Sequence, residues 1–456
     1  MNQSKIRKSL EDASREELIS IIELLLPLID RVAQLEMEIV ELKNKNSGNS
    51  SLPPSRDKQK DKKTRSLRKK SGRKSGGQPG HKGNTLKMSE RVDTVIDYPL
   101  GSCHHCQHDI SKASGEIVER KQVWDIPPVQ LQVSEHRRYK KCCDQCGQWS
   151  YSQFDKHLQV GPPVRYGDQV SNCLVYLMSR QLVPYQRLTE TFELLYGQKI
   201  SQGTIDNMMI KKTKEVSDVY QRIIERIENS PVVGVDESGC SVKGKKAWAW
   251  TWVTPEFSLI HISKNRGYQT TQSLFPNGFL KTVLVSDCWR THLKTLAKAH
   301  QLCLPHLRRE CRSLIEFQKS KWARKMDAVL KEILIQCQKP RIKKKRKQEI
   351  EDTLNQLLAR PLLRSAKPIV LLKKRLIRLR ECITVCLYDR KVPPDNNASE
   401  RAIRMIKQKV KISGTFRSNE GAERFAKLRT IIDSAIKQNI HPFVALKNPN
   451  ILLNST

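Results

Sequence analysis

Acidic side chains that follow buried strands are the residues of this chain best suited to chemistry. Asp236 follows the apolar run Val232-Val233-Gly234-Val235, and Asp287 follows Val283-Leu284-Val285-Ser286. Carboxylates at such strand ends project from the edge of a sheet, where ligands bind in α/β folds. A third acid, Glu400, sits in the first turns of a helix started by Asp395-Asn396-Asn397. A helix packed beside the two strands would bring its carboxylate to theirs. Three converging carboxylates repel one another unless cations relieve them. Two Mg²⁺ (or Mn²⁺) ions about 3.5–4 Å apart would do so, clamping the attacking and leaving oxygens of a phosphodiester. Taken singly, each acid is more often a turn former or a helix cap. Two strand-end aspartates followed by a helical glutamate favour a site, although composition cannot join Asp287 to so distant a Glu400.

Cysteine spacing points to a second kind of chemistry. Cys103-His104-His105-Cys106 and Cys143-Asp144-Gln145-Cys146 are two Cys-x-x-Cys knuckles. Cys103, Cys106, Cys143 and Cys146 together would make a structural Zn²⁺ site, closed because protein fills every position. Cys142, His104, His105 and His108 are alternative ligands, and independent reduced thiols or redox couples are the competing reading. The spacer is longer than in most zinc ribbons. Its Val118, Val123, Trp124, Ile126 and Val133 suit a strand pair between the knuckles. Such a module would present Arg137, Arg138, Lys140 and Lys141 to DNA. Cys303 and His306, just past a strand, are a further pair. Metal binding, DNA-end positioning and folding are open roles for them, and a packed thiol with a capping imidazole is the plainer reading.

The elements that would position these groups can be followed along the chain. Ser14-Arg15-Glu16-Glu17 is a capping box. Leu18, Ile21, Leu25, Leu28, Val32, Leu35, Ile39 and Leu42 then make a heptad seam. Residues 1–45 are therefore expected to be a coiled-coil helix that dimerises the protein, with a single amphipathic helix as the alternative. Pro27 should kink or restart it. Residues 46–95 read as a flexible basic linker, in which Arg68, Lys69, Lys70, Arg73 and Lys74 would contact phosphate in a salt-sensitive way. The zinc-binding module would occupy 96–158, and a helical DNA-binding domain 159–228. Within the latter, Leu194-Leu195-Tyr196-Gly197 ends one helix and Ser201-Gln202-Gly203-Thr204 starts the next, a helix-turn-helix outline. From Pro231 the pattern changes to period two. Three strands, a helix and a further strand predict a mixed central sheet within 229–435, interrupted by a basic helical insertion at about 310–390. Residues 436–456 would form a C-terminal tail. The fold class expected is a multidomain α+β or α/β protein.

Composition sets the class of partner. Lys and Arg outnumber Asp and Glu by 83 to 47, a formal net charge of +36. Such a protein needs an anionic partner, with nucleic acid first and a membrane surface second. The apolar run from Ile19 to Leu26 is too short to span a bilayer, and the first residues carry no secretion pattern. The expectation is a cytoplasmic protein, so its 13 Cys should stay reduced rather than form a disulfide framework.

In order, Val235-Asp236-Glu237-Ser238-Gly239, Trp250-Thr251-Trp252-Val253, Ser286-Asp287, Cys303 to Arg309 and Pro394 to Ala402 resemble the insertion-sequence-66 family of bacterial transposases. Asp395-Asn396-Asn397-Ala398-Ser399-Glu400-Arg401 is the most specific stretch. Asn46 to Ser55, Gly76 to Gly83, Gly414 to Ser418 and His441-Pro442-Phe443 are similar to that family too, so the likeness covers nearly the whole chain. One departure is Cys288-Trp289-Arg290, where the family commonly has an aromatic or glycine-rich context. The resemblance implies a ribonuclease-H-like core with an Asp-Asp-Glu triad falling on Asp236, Asp287 and Glu400. It implies hydrolysis at transposon ends, then attack of the freed 3′-hydroxyl on target DNA. It marks Cys303 and His306 as a recurring pair and sets a zinc module where the four cysteines lie. Arg401 and Arg404, next along the helix from Glu400, stand as further DNA contacts. Terminal inverted repeats and target DNA, a homodimer or higher oligomer, small accessory proteins and association with the nucleoid are its expected partners and setting. A catalytically inactive DNA-binding relative, or regulator, and an RNA-directed nuclease are the competing readings.

Overall fold

The computed structural model describes residues 14–44, 80, 82–83, 85–155, 158–362 and 365–454. Arg68, Lys69, Lys70, Arg73 and Lys74 of the expected basic arm lie outside them. The chain divides into two compact units, one of residues 68–160 with 193–198, the other of 1–67, 161–192 and 199–456. Helix α1 (Arg15–Asn44) continues through Pro27 instead of restarting there. Its seam residues Ile21, Leu25, Leu28, Val32, Leu35 and Ile39 are all exposed.

The smaller unit departs from expectation. β1 (Lys140–Cys142) pairs antiparallel with β2 (Trp149–Tyr151) across the second knuckle. A bridge from Ser102 to Asp109 spans the first. Each knuckle thus closes its own turn, and no strand pair joins them among the described residues. The reason is a lack of anything to pack on. Val118, Val123, Ile126 and Val133 are each at least 80% exposed. A ladder without a buried face is marginal in water.

Ahead of the larger unit's sheet come α2 (Asp168–Ser179), α3 (Tyr185–Tyr196), whose residues from 193 on fall in the smaller unit, and α4 (Gln202–Glu228). α4 begins where Ser201 accepts the Thr204 amide at 3.0 Å, as the sequence predicts. β3 (Val232–Val242) turns into β4 (Lys245–Val253) through Lys243 and Gly244. Both have positive φ, 51° and 72°, the combination that matches a two-residue hairpin to strand twist. β5 (Ser258–Ser263), α5 (Tyr268–Leu274), β6 (Phe279–Ser286), α6 (Arg290–Lys294) and β7 (Ala297–Leu302) follow. The strand order is β5-β4-β3-β6-β7. The first three are antiparallel neighbours, and β6 and β7 run parallel to β3. The sheet is therefore mixed, as expected, with one more strand than the sequence pattern gives.

Asp236 does not end its strand, contrary to expectation. β3 pairs with β4 along its length, Asp236 facing Thr251, and runs on to Val242. What ends before Asp236 is the pairing with β6, whose last rung is Gly234 with Val285. Two steps further along each chain, Asp236 and Asp287 come opposite one another.

The insertion is helical as predicted, in α7 (Leu304–Gln318), α8 (Lys321–Cys337), α9 (Lys344–Ala359), α10 (Lys367–Arg378) and α11 (Val385–Tyr388). Its Leu307, Met326, Leu330, Leu354 and Leu376 share one core with Val283, Val285 and Leu302 of the sheet. α12 (Asn397–Ser413), α13 (Asn419–Lys437) and α14 (Pro442–Lys447) complete the unit. α13 shields the edge strand β5. Thr430 and Ser434 accept the amides of Ile260 and Ser258 at 2.9 and 3.1 Å, so those groups are not open to another strand. No helix among the described residues is long and apolar enough to cross a membrane.

α12 lies along β3 and is fastened at both ends. At its start, Asn396 Nδ2 donates to Val235 O at 2.7 Å. Beyond its end, the Phe416 amide donates to Ser241 O at 2.9 Å and Phe416 O accepts from Lys243 N at 2.8 Å. Seventeen helical residues span about 25 Å, and the seven steps from Val235 to Val242 span about 23 Å, so helix and strand match in length. Gly234 makes the close approach feasible. A Cβ there would stand 2.5 Å from Ser399 Oγ and 2.8 Å from Asn396 Oδ1. Gly234→Val should therefore push α12 off the sheet and cost about 1–3 kcal/mol, read as a lower urea midpoint. An unchanged midpoint would show that α12 does not depend on this contact.

Candidate functional site

The register just described brings two of the three expected acids together, and the seat of α12 brings the third. Asp236 Oδ1 accepts the Glu237 amide at 3.0 Å, and Asp287 Oδ1 accepts the Trp289 amide at 2.9 Å. Glu400 lies in the first turn of α12, one turn from Asn396 and its bond to β3. Desolvation, then the charges of Glu237, Asp287 and Glu400, push the Asp236 carboxyl up to about 7, against the pull of His292. Asp236 thus lies within electrostatic reach of both Asp287 and Glu400. Burial also raises the Glu400 carboxyl, opposed by Arg309, Arg404 and Lys407. The buried Glu400 Oε1 has no hydrogen-bond partner.

These observations fit a divalent cation. The donors are all oxygens, burial and then repulsion push the Asp236 carboxyl up to about 7, and one buried carboxylate oxygen is unsatisfied; a bound cation would relieve the last two.

Behind the acids lies a network that sequence reasoning missed. Glu237, buried beside Asp236, accepts from Arg266 Nη2 at 2.8 Å and meets His292 Nε2 at 2.7 Å. Burial pushes the Glu237 carboxyl up, yet His292 and Arg266 outweigh it and hold it below its usual range. Burial likewise works against charge on His292, but Glu237, Asp287 and Asp236 raise it overall. The same imidazole nitrogen lies 4.0 Å from Asp287 Oδ1. His292 therefore bridges Glu237 and Asp287. Arg266 is held between the Trp289 and Trp248 rings at 3.8 and 4.5 Å. Adjacency to Asp236 was the one available signal for Glu237. For His292 and Arg266 there was none.

Cys303 and His306 join the start of α7 to the start of α12. The buried Cys303 Sγ accepts the Asn396 amide at 3.3 Å and lies 3.2 Å from His306 Nδ1. That nitrogen is 3.5 Å from Glu400 Oε1. Burial pushes the thiol up to about 12, and burial with Arg309 pushes the imidazole down to about 4. The cavity enclosed by α4, β5 and α13, lined by Tyr220, His261, Glu423 and Lys427, contains none of the three acids.

The two knuckles share one turn. The Cys103 amide donates to His108 O and the Cys143 amide to Gln148 O, both at 2.8 Å. Gln107 and Gly147 donate back to the carbonyls of Cys103 and Cys143, both at 2.9 Å. Both sit at positive φ, 62° and 70°. The amides of Cys106 and His105, and of Cys146 and Gln145, hold the Cys103 and Cys143 thiols below the usual range. Cys143, not Cys142, thus repeats the part of Cys103, while the Cys142 thiol donates to Gly147 O at 3.3 Å. The structure does not gather the four cysteines into one ligand cluster. Among the described residues, the grouping close enough for a metal is Cys303, His306 and Glu400. Of the basic candidates, Arg137 is paired with Glu135 at 2.7 Å, Arg138 and Lys140 lie against Phe154 and Trp149, and Arg401 and Arg404 are exposed on α12.

The profile of the Transposase IS66 family matches residues 164–424, more than half of the chain. A profile described only as a family of unknown function matches residues 4–87. No curated protein matches the chain.

His292→Ala would leave the Glu237 carboxylate buried without its nearest partner, with Arg266 alone beside it. Because Arg266 still pairs with Glu237, the expected cost is about 1–3 kcal/mol of unfolding free energy, the loss of one buried hydrogen bond to a charged group, measured by denaturant titration. A cost near zero would contradict a bridging role for His292.

Proposed function

The chain belongs to the IS66 family of transposases, and from that premise we propose that Asp236, Asp287 and Glu400 form the triad that cuts transposon ends and joins them to target DNA. The observation that carries this reading is the seat of α12 over Gly234, which puts the charge of Glu400 within reach of Asp236. The three carboxylates would hold two divalent cations, Mg²⁺ or Mn²⁺. When bound, such ions activate the attacking water or 3′-hydroxyl and stabilise the leaving oxygen of an in-line displacement. The chain's own residues do the rest. His292 sets its imidazole beside both carboxylates, 2.7 Å from Glu237 and 4.0 Å from Asp287. Arg309, Arg404 and Lys407 offset the charge of Glu400 and offer contacts to the phosphates of a bound DNA end. Hydrolysis and strand transfer need no protein nucleophile, because both attacking groups are oxygens of water or DNA.

Around that centre the remaining parts take roles of their own. The mixed five-stranded sheet with α12 and α13 is a ribonuclease-H-like core, and α7 to α11 are an insertion within it. The shared turn of the two knuckles supports a structural Zn²⁺ held by Cys103, Cys106, Cys143 and Cys146, which the structure does not gather and which would have to close on the ion. The exposed seam of α1 supports pairing with a second copy as a coiled coil. The helices before the sheet, the basic arm and Arg137, Arg138, Lys140, Arg401 and Arg404 serve DNA binding.

Mg²⁺-dependent nicking of DNA that carries the element's ends tests the triad. Asp236→Asn, Asp287→Asn and Glu400→Gln should each slow it by roughly 100-fold or more. Full activity in any of them would remove that residue from the site. A pH series adds a second check. Asp236 must lose its proton to hold a cation, and that proton leaves near pH 7. The Mg²⁺ concentration for half-maximal cleavage should therefore fall as pH rises from about 6 to about 8, then level off. A requirement independent of pH would contradict ligation by Asp236.

A further inference from the structure

Two helix starts meet beside the carboxylates. The Leu304 amide at the head of α7 donates to Pro394 O at 3.0 Å, and the Asn396 amide before α12 donates to Cys303 Sγ at 3.3 Å. This stitching holds a thiol, an imidazole and a carboxylate together. Cys303 Sγ, His306 Nδ1 and Glu400 Oε1 all lie within 4.8 Å of one another. The sulfur-to-nitrogen separation is 3.2 Å and the nitrogen-to-oxygen separation 3.5 Å. Around a tetrahedral Zn²⁺, with bonds of about 2.3 Å to sulfur and about 2.0–2.1 Å to nitrogen and oxygen, neighbouring ligand atoms stand roughly 3.3–3.6 Å apart. The two spacings lie in or within about 0.1 Å of that range. Glu400 Oε1 is buried and has no hydrogen-bond partner, so it is open to a ligand on the Cys303 and His306 side as well as on the side of the aspartates.

The donor set differs in kind from the triad. Three carboxylates suit Mg²⁺, which takes oxygen ligands. Sulfur, nitrogen and one carboxylate oxygen suit Zn²⁺ and its softer neighbours. We propose that Cys303, His306 and Glu400 form a second metal site, specific for a thiophilic divalent cation such as Zn²⁺, which competes with the triad for Glu400. On binding, the Cys303 S–H bond breaks, a metal–sulfur bond forms and the proton leaves to solvent. Three protein ligands leave the fourth position open to water or a phosphate oxygen. With Glu400 drawn into this site, Asp236 and Asp287 lose their third acid, and cleavage stops until the soft metal is removed. The binding site stands on its own geometry, whereas its effect on cleavage rests on the triad reading above.

The test uses the full chain, stripped of metal and reloaded with Zn²⁺ alone, beside Cys303→Ser and His306→Gln. All three proteins keep the knuckle cysteines, so those contribute equally. The wild-type chain should hold about one more equivalent of Zn²⁺ than either variant. With Co²⁺ as the probe, its thiolate charge-transfer absorption should fall in Cys303→Ser. Circular dichroism identifies a variant that fails to fold, and the other then carries the comparison. Equal loading in folded proteins overturns the site. Zn²⁺ added to the Mg²⁺-driven nicking reaction should abolish wild-type cleavage, and a chelator specific for Zn²⁺ should restore it. Extra loading with undiminished cleavage overturns the competition for Glu400. A chain that shows the extra equivalent yet never cleaves under Mg²⁺ would instead count against the triad.

Discussion

Repulsion among neighbouring carboxylates, the most buried of them Asp236, is the constraint to which the larger unit is built. Asp236 shows it most directly, since desolvation and its acidic neighbours push its carboxyl up to about 7. A chain free to relax would let Glu400 swing away. It is prevented by fastening α12 at both ends of β3, through Asn396 to Val235 and through Phe416 to Ser241 and Lys243. Gly234 lets the helix come close enough for that fastening, because any side chain there would occupy the space of Ser399 and Asn396. The stability of the surrounding core thus holds in place an arrangement that is electrostatically unfavourable by itself.

Counter-charges make the arrangement tolerable. On the side of Asp236 and Asp287, His292 and Arg266 satisfy the buried Glu237, and His292 reaches on towards Asp287. On the side of Glu400, Arg309, Arg404 and Lys407 oppose the rise that burial imposes. A phosphate entering this site would meet fixed positive charge on one flank. The same geometry leaves Glu400 facing Cys303 and His306, whose donor chemistry differs from that of the aspartates. One glutamate therefore stands between oxygen donors on one side and a thiol with an imidazole on the other.

Much of the core was legible because its signals are local. The runs Val232-Val233-Gly234-Val235 and Val283-Leu284-Val285 are buried strands, and the large–small alternation through Trp248, Trp250 and Trp252 is β4. Ser201 caps its helix as the sequence indicates. Non-local effects account for what was not legible. β3 outruns its apolar run because β4 pairs with it to Val242. β7 contains Lys298, His300 and Gln301, a polar pattern that becomes a strand only by pairing with β6. The bond of His292 to Glu237 crosses 55 residues and leaves no periodic trace. The apolar residues between the knuckles suggested strands, but with no core in that unit they stay exposed. The three acids were singled out from the apolar runs before two of them and from a family likeness, although Asp236 proves to lie within its strand, whereas the role of Gly234 depends on a helix more than 160 residues further along the chain.

Mn²⁺ binding, followed by electron paramagnetic resonance on the metal-stripped full chain, tests the central claim without requiring the DNA substrate. If the three acids share one cation pocket, the bound Mn²⁺ signal should weaken sharply in Asp236→Asn, in Asp287→Asn and in Glu400→Gln alike. Loss in the two aspartate variants, with Glu400→Gln binding as tightly as the wild-type chain, would contradict it, for the helix would then contribute no ligand to the site.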